Sequence, residues 1–581
     1  MNILLVAVNA KYIHSNLAVY SLKASAGEYE PQVELAEFTI NHQTDDIFRV
    51  IYQKKPELLF FSCYIWNRRV ILELAENLHR VLPKTVIWAG GPEVSYDAEA
   101  FLEKQEAFDG VMCGEGERSF YQVLQHYAGG CRALEEIPGI VYRVRGVSKD
   151  EADRVICTQK SCELLPMDEL PFVYERPEDF SNRIIYYESS RGCPYSCSYC
   201  LSSIDKRVRF RSTELVKKEL GFLLEHRVPQ VKFVDRTFNC SHSHAMEIWK
   251  FIQAHDNGIT NFHFEIAADI LTDEELELLA TMRPGLVQLE IGVQTVNEKT
   301  LEAIRRTVPP TRIADRVRRI SANHNMHQHL DLIAGLPYED FASFQDSFDT
   351  VYRLKPQELQ LGFLKVLRGS HMYKCAGEYG IVYRSRPPYE VLETRWISCG
   401  ELLRLKEVEE MLEVYYNSQQ FRYTMEALEK FFARPFAMYE ALADYYKAQD
   451  AEGKSFSRMQ RFALLRGLIA QTPGADTAYF DELLTLDFYL RENAKSRPDW
   501  AENLSAYGEQ TACFYQQEAQ KYLSAPAYTG LSWKQLMRMT HLEHFTYNVT
   551  GNGEKKEMWL LFDYERRDPL TRDAAVTHIA L

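Results

Sequence analysis

Arg191-Gly-Cys-Pro-Tyr-Ser-Cys-Ser-Tyr-Cys200 sets three thiols at CxxxCxxC spacing, directly after a strand-like segment, Ile184 to Tyr187. A loop this short can bring Cys193, Cys197 and Cys200 around one cuboidal [4Fe-4S] cluster, because thiolates are soft ligands suited to iron–sulfur centres. Three cysteines leave one iron without a protein ligand at motif spacing, so the cluster keeps an open coordination position. A structural zinc site wants four ligands, usually as two pairs, and no second pair follows at a fitting distance. Cys240 lies far along the chain. Three unligated core cysteines are the other alternative; the preceding strand and the small and aromatic filler residues favour the cluster.

At 581 residues the chain exceeds one ordinary core and should divide into roughly two to four domains. A net charge of −15 argues against generic attraction to nucleic acid or an anionic membrane, while leaving room for a local basic groove. No apolar run approaches the roughly 20 residues of a spanning helix. The first residues, MNILLVAVNA, lack a basic n-region and read as a buried strand, not a signal peptide. Twelve scattered cysteines favour metal or redox chemistry over a disulfide framework, and the expected location is cytoplasmic.

The expected fold class is α/β with three parts. Residues 1–135 alternate strand and helix signals as a doubly wound, Rossmann-like sheet requires. Its strand candidates are Ile3 to Val8, Val33 to Phe38, Leu58 to Phe61, Val86 to Ala89 and Gly110 to Met112, with a helix over Val70 to Val81. Residues 136–182 read as short antiparallel strands and a linker containing Pro166, Pro171 and Pro177. Over 183–395 a second series runs through Ile184 to Tyr187, Val231 to Val234, Phe262 to Ile266, Leu286 to Ile291, His329 to Ile333 and Glu358 to Leu361. About six βα units suit a partial (β/α)6 barrel. Residues 396–581 are mainly helical, with Leu402 to Tyr416 and Thr424 to Lys447 amphipathic, and roughly the last 35 residues return to a strand-like reading, with Trp559 to Phe562 followed by a polar turn.

The cysteine motif resembles that of the radical S-adenosylmethionine (radical SAM) enzyme family, over about residues 183–370. The resemblance implies that the open iron takes the amino and carboxylate groups of S-adenosylmethionine, and that electron transfer into the sulfonium releases a 5′-deoxyadenosyl radical. It implies that Tyr199 packs against the adenine. Asp235, Arg236 and Asn239, in Val234-Asp-Arg-Thr-Phe-Asn239, stand where the family carries its segment for the methionine amino group; strand-end capping is the alternative. Glu265, Glu290 and Gln294 (in LEIGVQT) and Asp331 (in LDLIAGLP) fall at later strand ends, where barrel sites lie.

A doubly wound sheet ahead of such a barrel resembles the cobalamin-binding branch of that family. Asn9-Ala-Lys-Tyr-Ile-His14, Ser62-Cys-Tyr-Ile-Trp66, Gly90-Gly-Pro-Glu93 and Gly114-Glu-Gly-Glu117 carry this resemblance, each after a strand. It implies corrin contacts from Asn9, Lys11, Tyr12, Ser62, Tyr64, Gly90, Gly91, Pro92, Glu93, Gly114, Glu115, Gly116 and Glu117. A flavodoxin-like domain whose glycines only make turns is the alternative. The DxHxxG signature that supplies a histidine ligand to cobalt is absent, so the expectation is base-off cobalamin with its lower face against the Asn9–Tyr12 loop. His14 is a loop or helix-start residue on this reading. The region beyond about residue 400 resembles a C-terminal extension on one branch of these enzymes, and its position suggests a cap over the barrel mouth.

The leading function implied is a cobalamin-dependent radical SAM methyltransferase with a small-molecule or peptide substrate. A reductant such as flavodoxin or ferredoxin would serve it, with the basic run Lys206 to Arg211 as docking surface or solvated strand edge. Cyclisation, rearrangement or oxidation with the same cofactors is the enzymatic alternative. A cobalamin or iron–sulfur sensor is the non-catalytic one, and the open iron argues against it. Methylthio transfer to RNA is disfavoured by the acidic balance and by the lack of a second cysteine triad.

Overall fold

The computed structural model describes residues 1–146, 152–158 and 161–581. Five parallel strands, Ile3–Asn9, Val33–Thr39, Leu58–Ser62, Val86–Gly90 and Gly110–Met112, stand in the order 2-1-3-4-5. Ile3–Asn9 is buried along its whole length, because helices cover both faces of a parallel sheet. The strand order reverses on either side of Ile3–Asn9, so the ligand crevice of such a sheet opens beyond Asn9 and Ser62.

Two antiparallel strands, Ile140–Val144 and Arg154–Cys157, extend this same sheet beyond Gly110–Met112. The sequence reading placed them with a linker; in the fold they finish the first domain's sheet, since Ile140, Val141 and Tyr142 are buried against it. Parts of the 136–182 segment, residues 147–151 and 159–160, lie outside the described residues.

Six parallel strands form the second sheet in strict chain order: Ile185–Tyr187, Gln230–Phe233, Asn261–Ile266, Val287–Gln294, His327–Ala334 and Glu358–Phe363. Its first and last strands are edges, so the barrel is partial. Side-chain alternation gives it two chemically different faces. Phe262, Phe264, Leu289, Ile291, Leu330 and Leu332 are buried on the helix side, where Phe264 meets Trp249 edge-on at 6.0 Å. His263, Glu265, Glu290, His329 and Asp331 alternate with them and form a polar inner face.

Beyond the barrel the fold departs from the sequence reading in two respects. Thr424 to Lys447 is two helices, Arg422–Glu429 and Pro435–Ala448, with Pro435 at the first turn of the second. Proline lacks the N–H that a continuous helix would use there. The chain ends in a three-stranded antiparallel sheet, Thr540–Tyr547, Lys555–Arg567 and Ala574–Ile579, of which the strand-like reading of the chain's end missed the first strand. The C-terminal region also meets the barrel along its last strand, where Lys406 Nζ lies 4.4 Å from the centroid of the Phe363 ring. Asn417 pairs with both backbone groups of Leu359 on the edge strand (2.9 and 3.0 Å), and Tyr416 donates to Pro356 O. Pro569 packs on Gly285, ahead of the fourth strand. These contacts cover the exposed strand edge and the amino-terminal end of the barrel, where a bare edge would invite pairing.

The first domain meets the carboxyl end of the barrel, where Tyr389 donates to Glu93 (2.9 Å) and Arg368 pairs with Asp97, and it also meets the start of the first barrel strand, where Arg183 pairs with Glu37 (2.6 Å) and Ile184 N–H bonds Ile13 O (2.8 Å).

Candidate active site between two sheets

Gly192 makes the entry to the cysteine loop: its φ is +97°, and a Cβ there would lie 2.3 Å from the Arg207 carbonyl oxygen. The loop closes through Cys193 N–H to Asp205 O (3.1 Å) and Cys200 N–H to Cys197 O (3.2 Å). Ser203 Oγ donates to the carbonyls of Cys197 (2.9 Å) and Cys200 (2.7 Å). Neighbouring elements clamp it: Ser198 N–H reaches Ile304 O (3.0 Å), and Met372 N–H reaches Ser198 O (2.7 Å). Cys193 is buried, Cys197 and Cys200 are half-buried, and none is in a disulfide.

Burial pushes the Cys197 thiol up; Arg306 opposes the shift, and the neighbouring Cys200 and Cys193 add to it. Arg306 Nη1 lies 3.9 Å from Cys197 Sγ and 3.4 Å from the Tyr199 hydroxyl, while Nη2 donates to Gly292 O (2.7 Å). Three thiols on a backbone-locked loop, beside a buried cation, fit an anionic [4Fe-4S] cluster. Among the described residues no three His, Cys, Asp or Glu side chains gather as a single-ion site.

Gln294 supplies a second sign of a bound molecule. It sits at the bulge that ends its strand, with φ +72°, and its side chain lies over Gly292, where any Cβ would come within 2.2 Å of Nε2. Its Oε1 is buried without a hydrogen-bond partner. Such an acceptor is costly unless a ligand donates to it, which suits the amino or adenine N–H groups of S-adenosylmethionine. Arg236 forms two 2.6 Å contacts with Glu265 on the same face. Asp235 and Asn239 have different employment: Asp235 is fully buried and accepts from Ser189 N–H (3.0 Å), Ser189 Oγ (2.6 Å) and Ser190 Oγ (2.6 Å). Asn239 joins Ala267 through both backbone groups (2.9 Å each). Both therefore fix strand ends beside the cysteine loop.

The inner face of the barrel carries more ionisable groups than the strand-end reading named. Glu290 takes Lys232 (3.0 Å) and His263 (2.9 Å) on one oxygen. Burial alone would raise its pKa, but these two partners hold it well below the carboxylate range. His329 lies 3.0 Å from Asp331, off-axis for a hydrogen bond. Burial opposes its charge, yet Asp331, Glu358 and Glu290 raise it to about 9. Burial, with His329 and His263 nearby, lowers His327 to about 4. Lys232, His263, His327, His329 and Glu358 went unread in the sequence, although polar residues at every second position of a buried strand were the available signal. Arg306 gave no local signal at all.

The opposite wall is the carboxyl edge of the first sheet. Asn9 is buried and bonds His14 O (3.1 Å) and Glu37 (3.0 Å); Asn16 joins Asn9 to Ser62 Oγ (3.3 Å each). Lys11, Tyr12 and Ile13 are exposed, and Tyr64 stacks on Trp66 at 4.5 Å with the rings 5° from parallel. Gly91, with Gly90 before it and Pro92 after it at the start of a short helix, has φ +106°, and a Cβ there would sit 2.5 Å from Cys63 O. Gly114 has φ +81° and lies against Cys162, while Gly116 lies against Leu22. Exposed aromatic surface over glycine turns fits a flat, largely apolar corrin. Glu93, Glu115 and Glu117 instead spend their carboxylates on protein. Glu93 meets Arg68 (3.4 Å) and Tyr389, Glu115 meets Arg191 (2.9 Å) and Arg209, and Glu117 meets Arg191 (2.7 Å). His14 Nδ1 is 2.5 Å from the Tyr186 hydroxyl, and burial lowers its pKa.

Family models match along the chain: a B12 binding domain over residues 3–124, the radical SAM superfamily over 187–351, and DUF4080, a protein of unknown function, over 377–562. Among curated proteins, a methyltransferase of Pyrococcus horikoshii is 25% identical over 51% of this chain and 63% of its own length. The 2-(S-pantetheinyl)-carbapenam-3-carboxylate methyltransferase of Streptantibioticus cattleyicolor is 25% identical over 78% of this chain and 69% of its own. The cobalamin-dependent radical SAM methyltransferase TokK of Streptomyces tokunonensis is 27% identical over 51% and 45%. The chain thus spans less than two thirds of the Pyrococcus and TokK proteins. In fold it is similar to the cobalamin-dependent radical enzyme OxsB (TM-score 0.57, 14% identity, 84% of this chain and 79% of that one). It is also similar to the methyltransferase TsrM of Kitasatospora setae (TM-score 0.54, 16% identity, 66% and 79%).

Proposed function

We propose that this chain, which carries a radical SAM domain behind a B12-binding domain, is a cobalamin-dependent radical SAM methyltransferase acting on a small-molecule substrate. The observation that carries the reading is the meeting of two carboxyl-terminal sheet edges. Arg191, two residues before the first cluster cysteine, is held by Glu115 and Glu117 of the first domain, and Tyr96 packs on Gly369 next to the barrel's end. A corrin on the first edge and S-adenosylmethionine on the second would then face one shared space.

When bound, the cluster with S-adenosylmethionine supplies a carbon-centred radical and the corrin supplies a methyl group. The chain's own residues hold and screen. Cys193, Cys197 and Cys200 would hold the cluster, and Arg306 would offset the negative charge of the thiolate-ligated cluster. Gln294 orients the bound nucleoside through its free acceptor. Tyr199, Arg236 and Glu265 line the same opening, and Lys232, Glu290, His329 and Asp331 form the polar floor on which a substrate rests. The loops at Asn9, Lys11, Tyr12, Ser62, Tyr64, Gly90 and Gly114 take the corrin. Lys206 and Arg207, exposed beside the loop, would offer a docking surface for a low-potential flavodoxin or ferredoxin. No described helix is long and apolar enough to cross a membrane; a cytoplasmic site suits the reductant.

Anaerobic purification with iron, sulfide and corrinoid analysis tests both cofactors, and methyl-labelled S-adenosylmethionine tests the transfer. Cys197→Ser should lose iron and 5′-deoxyadenosine formation while keeping the corrinoid. Absence of label from every product overturns methyl transfer and leaves cyclisation or oxidation. His14→Ala should leave the base-off corrinoid spectrum unchanged, because the imidazole is already engaged by Tyr186.

A further inference from the structure

Gln294 holds a left-handed backbone, φ +72°, which a residue with a side chain keeps only where its surroundings over-determine it. The three residues that follow supply that constraint, and it traces to one buried carboxyl. Thr295 Oγ1 donates to Glu339 Oε1 (2.6 Å), and Ser347 Oγ donates to the same oxygen (2.9 Å). With their protons so committed, Ser347 Oγ accepts from Val296 N–H (3.1 Å) and Thr295 Oγ1 accepts from Asn297 N–H (3.0 Å). Asn297 in turn caps the helix Glu298–Ala303, accepting from Lys299 N–H and Thr300 N–H, and its Nδ2 donates to Tyr338 O (3.3 Å). Thr295, Glu339 and Ser347 are each no more than 1% exposed, so bulk water does not compete for these bonds. Burial pushes the Glu339 carboxyl to about 7, while Thr295 and Ser347 pull it down and Asp340 adds to the rise. Its Oε2 has no hydrogen-bond partner, so the group serves this network through Oε1 alone, as an acceptor.

With Gln294 as the acceptor for S-adenosylmethionine, as in the proposed function, we infer that Glu339 is the positioning residue of that contact. Glu339 acts through Thr295 and Ser347, not on Gln294 itself. It ties down residues 295–297, which keeps Gln294 left-handed and its free Oε1 aimed. Without the acceptor, both hydroxyls turn to other partners and Gln294 relaxes toward ordinary extended backbone, which carries its side chain off Gly292. The loss falls on affinity for S-adenosylmethionine and not on the cluster, because no cysteine of the triad belongs to the network.

The test uses the anaerobically purified protein with cluster and corrinoid in place and no reductant, and reads the binding of radiolabelled S-adenosylmethionine by equilibrium dialysis. Gln294→Ala should weaken binding about tenfold, the worth of one hydrogen bond to a buried acceptor. Glu339→Ala should weaken it by a similar factor, and Thr295→Val, a milder change that leaves the carboxyl in place, should weaken it several-fold. Glu339→Gln retains the acceptor and should stay within about threefold of the parent. In the Gln294→Ala background, Glu339→Ala and Thr295→Val should each add less than about twofold, because the group they position is gone. Undiminished binding in both Glu339→Ala and Thr295→Val, full additivity with Gln294→Ala, or equal losses in Glu339→Gln and Glu339→Ala overturns the inference. Parent-like binding in Gln294→Ala would remove Gln294 from the S-adenosylmethionine site, and the positioning role with it. Iron content should be unchanged in every variant; its loss in Thr295→Val would assign the network to the cluster loop instead.

Discussion

Arg191 Nη2 donates to Glu117 Oε1 at 2.7 Å, joining the loop after the fifth strand of one sheet to the residue that leads into the cysteine triad of the other. Arg191 also meets Glu115 (2.9 Å) and Glu188 (2.8 Å), so one cation is shared by three carboxylates at the domain boundary. Arg191→Met should leave Glu117 and Glu188 without their cation in a half-dry space, while Glu115 keeps Arg209, and destabilise the protein by about 3–5 kcal/mol. Glu117→Gln keeps the shape and one acceptor, and should cost less, about 1–3 kcal/mol. Urea denaturation at neutral pH measures both, and equal stability of Arg191→Met and the parent protein would contradict the clamp.

His329 makes stability depend on alkaline pH. Its folded pKa is raised from 6.5 to about 9, so the protonated form is the one the fold favours. That contribution is complete below the unfolded value and is lost as pH rises through the folded one, a window from 6.5 to about 9. The loss should be on the order of 3 kcal/mol. His329→Gln should flatten stability across that window, read from denaturation midpoints at half-unit pH steps. A slope identical to the parent's would refute the assignment.

Gly91 tests the corrin edge. At φ +106°, with Cys63 O 2.5 Å from any added Cβ, Gly91→Ala forces the loop to shift. The expected cost is about 1–3 kcal/mol. The bound corrinoid should fall well below one per chain while iron content is retained. Full corrinoid loading in this variant would remove the loop from the cofactor site.

Arg306 sets the charge beside the cluster, 3.9 Å from Cys197 Sγ. A nearby cation favours the more negative, reduced cluster. Arg306→Gln should therefore lower the midpoint potential, by an amount on the order of 100 mV for a partly screened charge. A redox titration followed by electron paramagnetic resonance, without S-adenosylmethionine, measures it. An unchanged or raised potential would rule the role out.

Much of this site was legible because its chemistry is local in the chain. The CxxxCxxC spacing and the glycine turns at Gly91 and Gly114 need particular residues within a few positions, whatever surrounds them. The parallel strands were legible for a related reason: doubly covered strands are continuous apolar runs, as Ile3–Asn9 is. The strand Thr540–Tyr547 was not, because its partner is set by an antiparallel sheet that mixes polar and apolar residues.

By itself the sequence determined the thiolate loop, the two sheets and the order in which they occur. Only the tertiary structure decided what the carboxylates do. Glu93, Glu115 and Glu117 stand in cofactor-like turns, yet each is spent on a cation or hydroxyl at the domain boundary. Asp235 stands at a strand end and is sealed against Ser189 and Ser190. A carboxylate's role depends on which partner lies within about 3 Å and on how much water is excluded. Arg191, Arg306 and Tyr389 reach those carboxylates and thiols from sequence-distant segments. The same physics placed the C-terminal region along the barrel's last strand, where Asn417 satisfies Leu359.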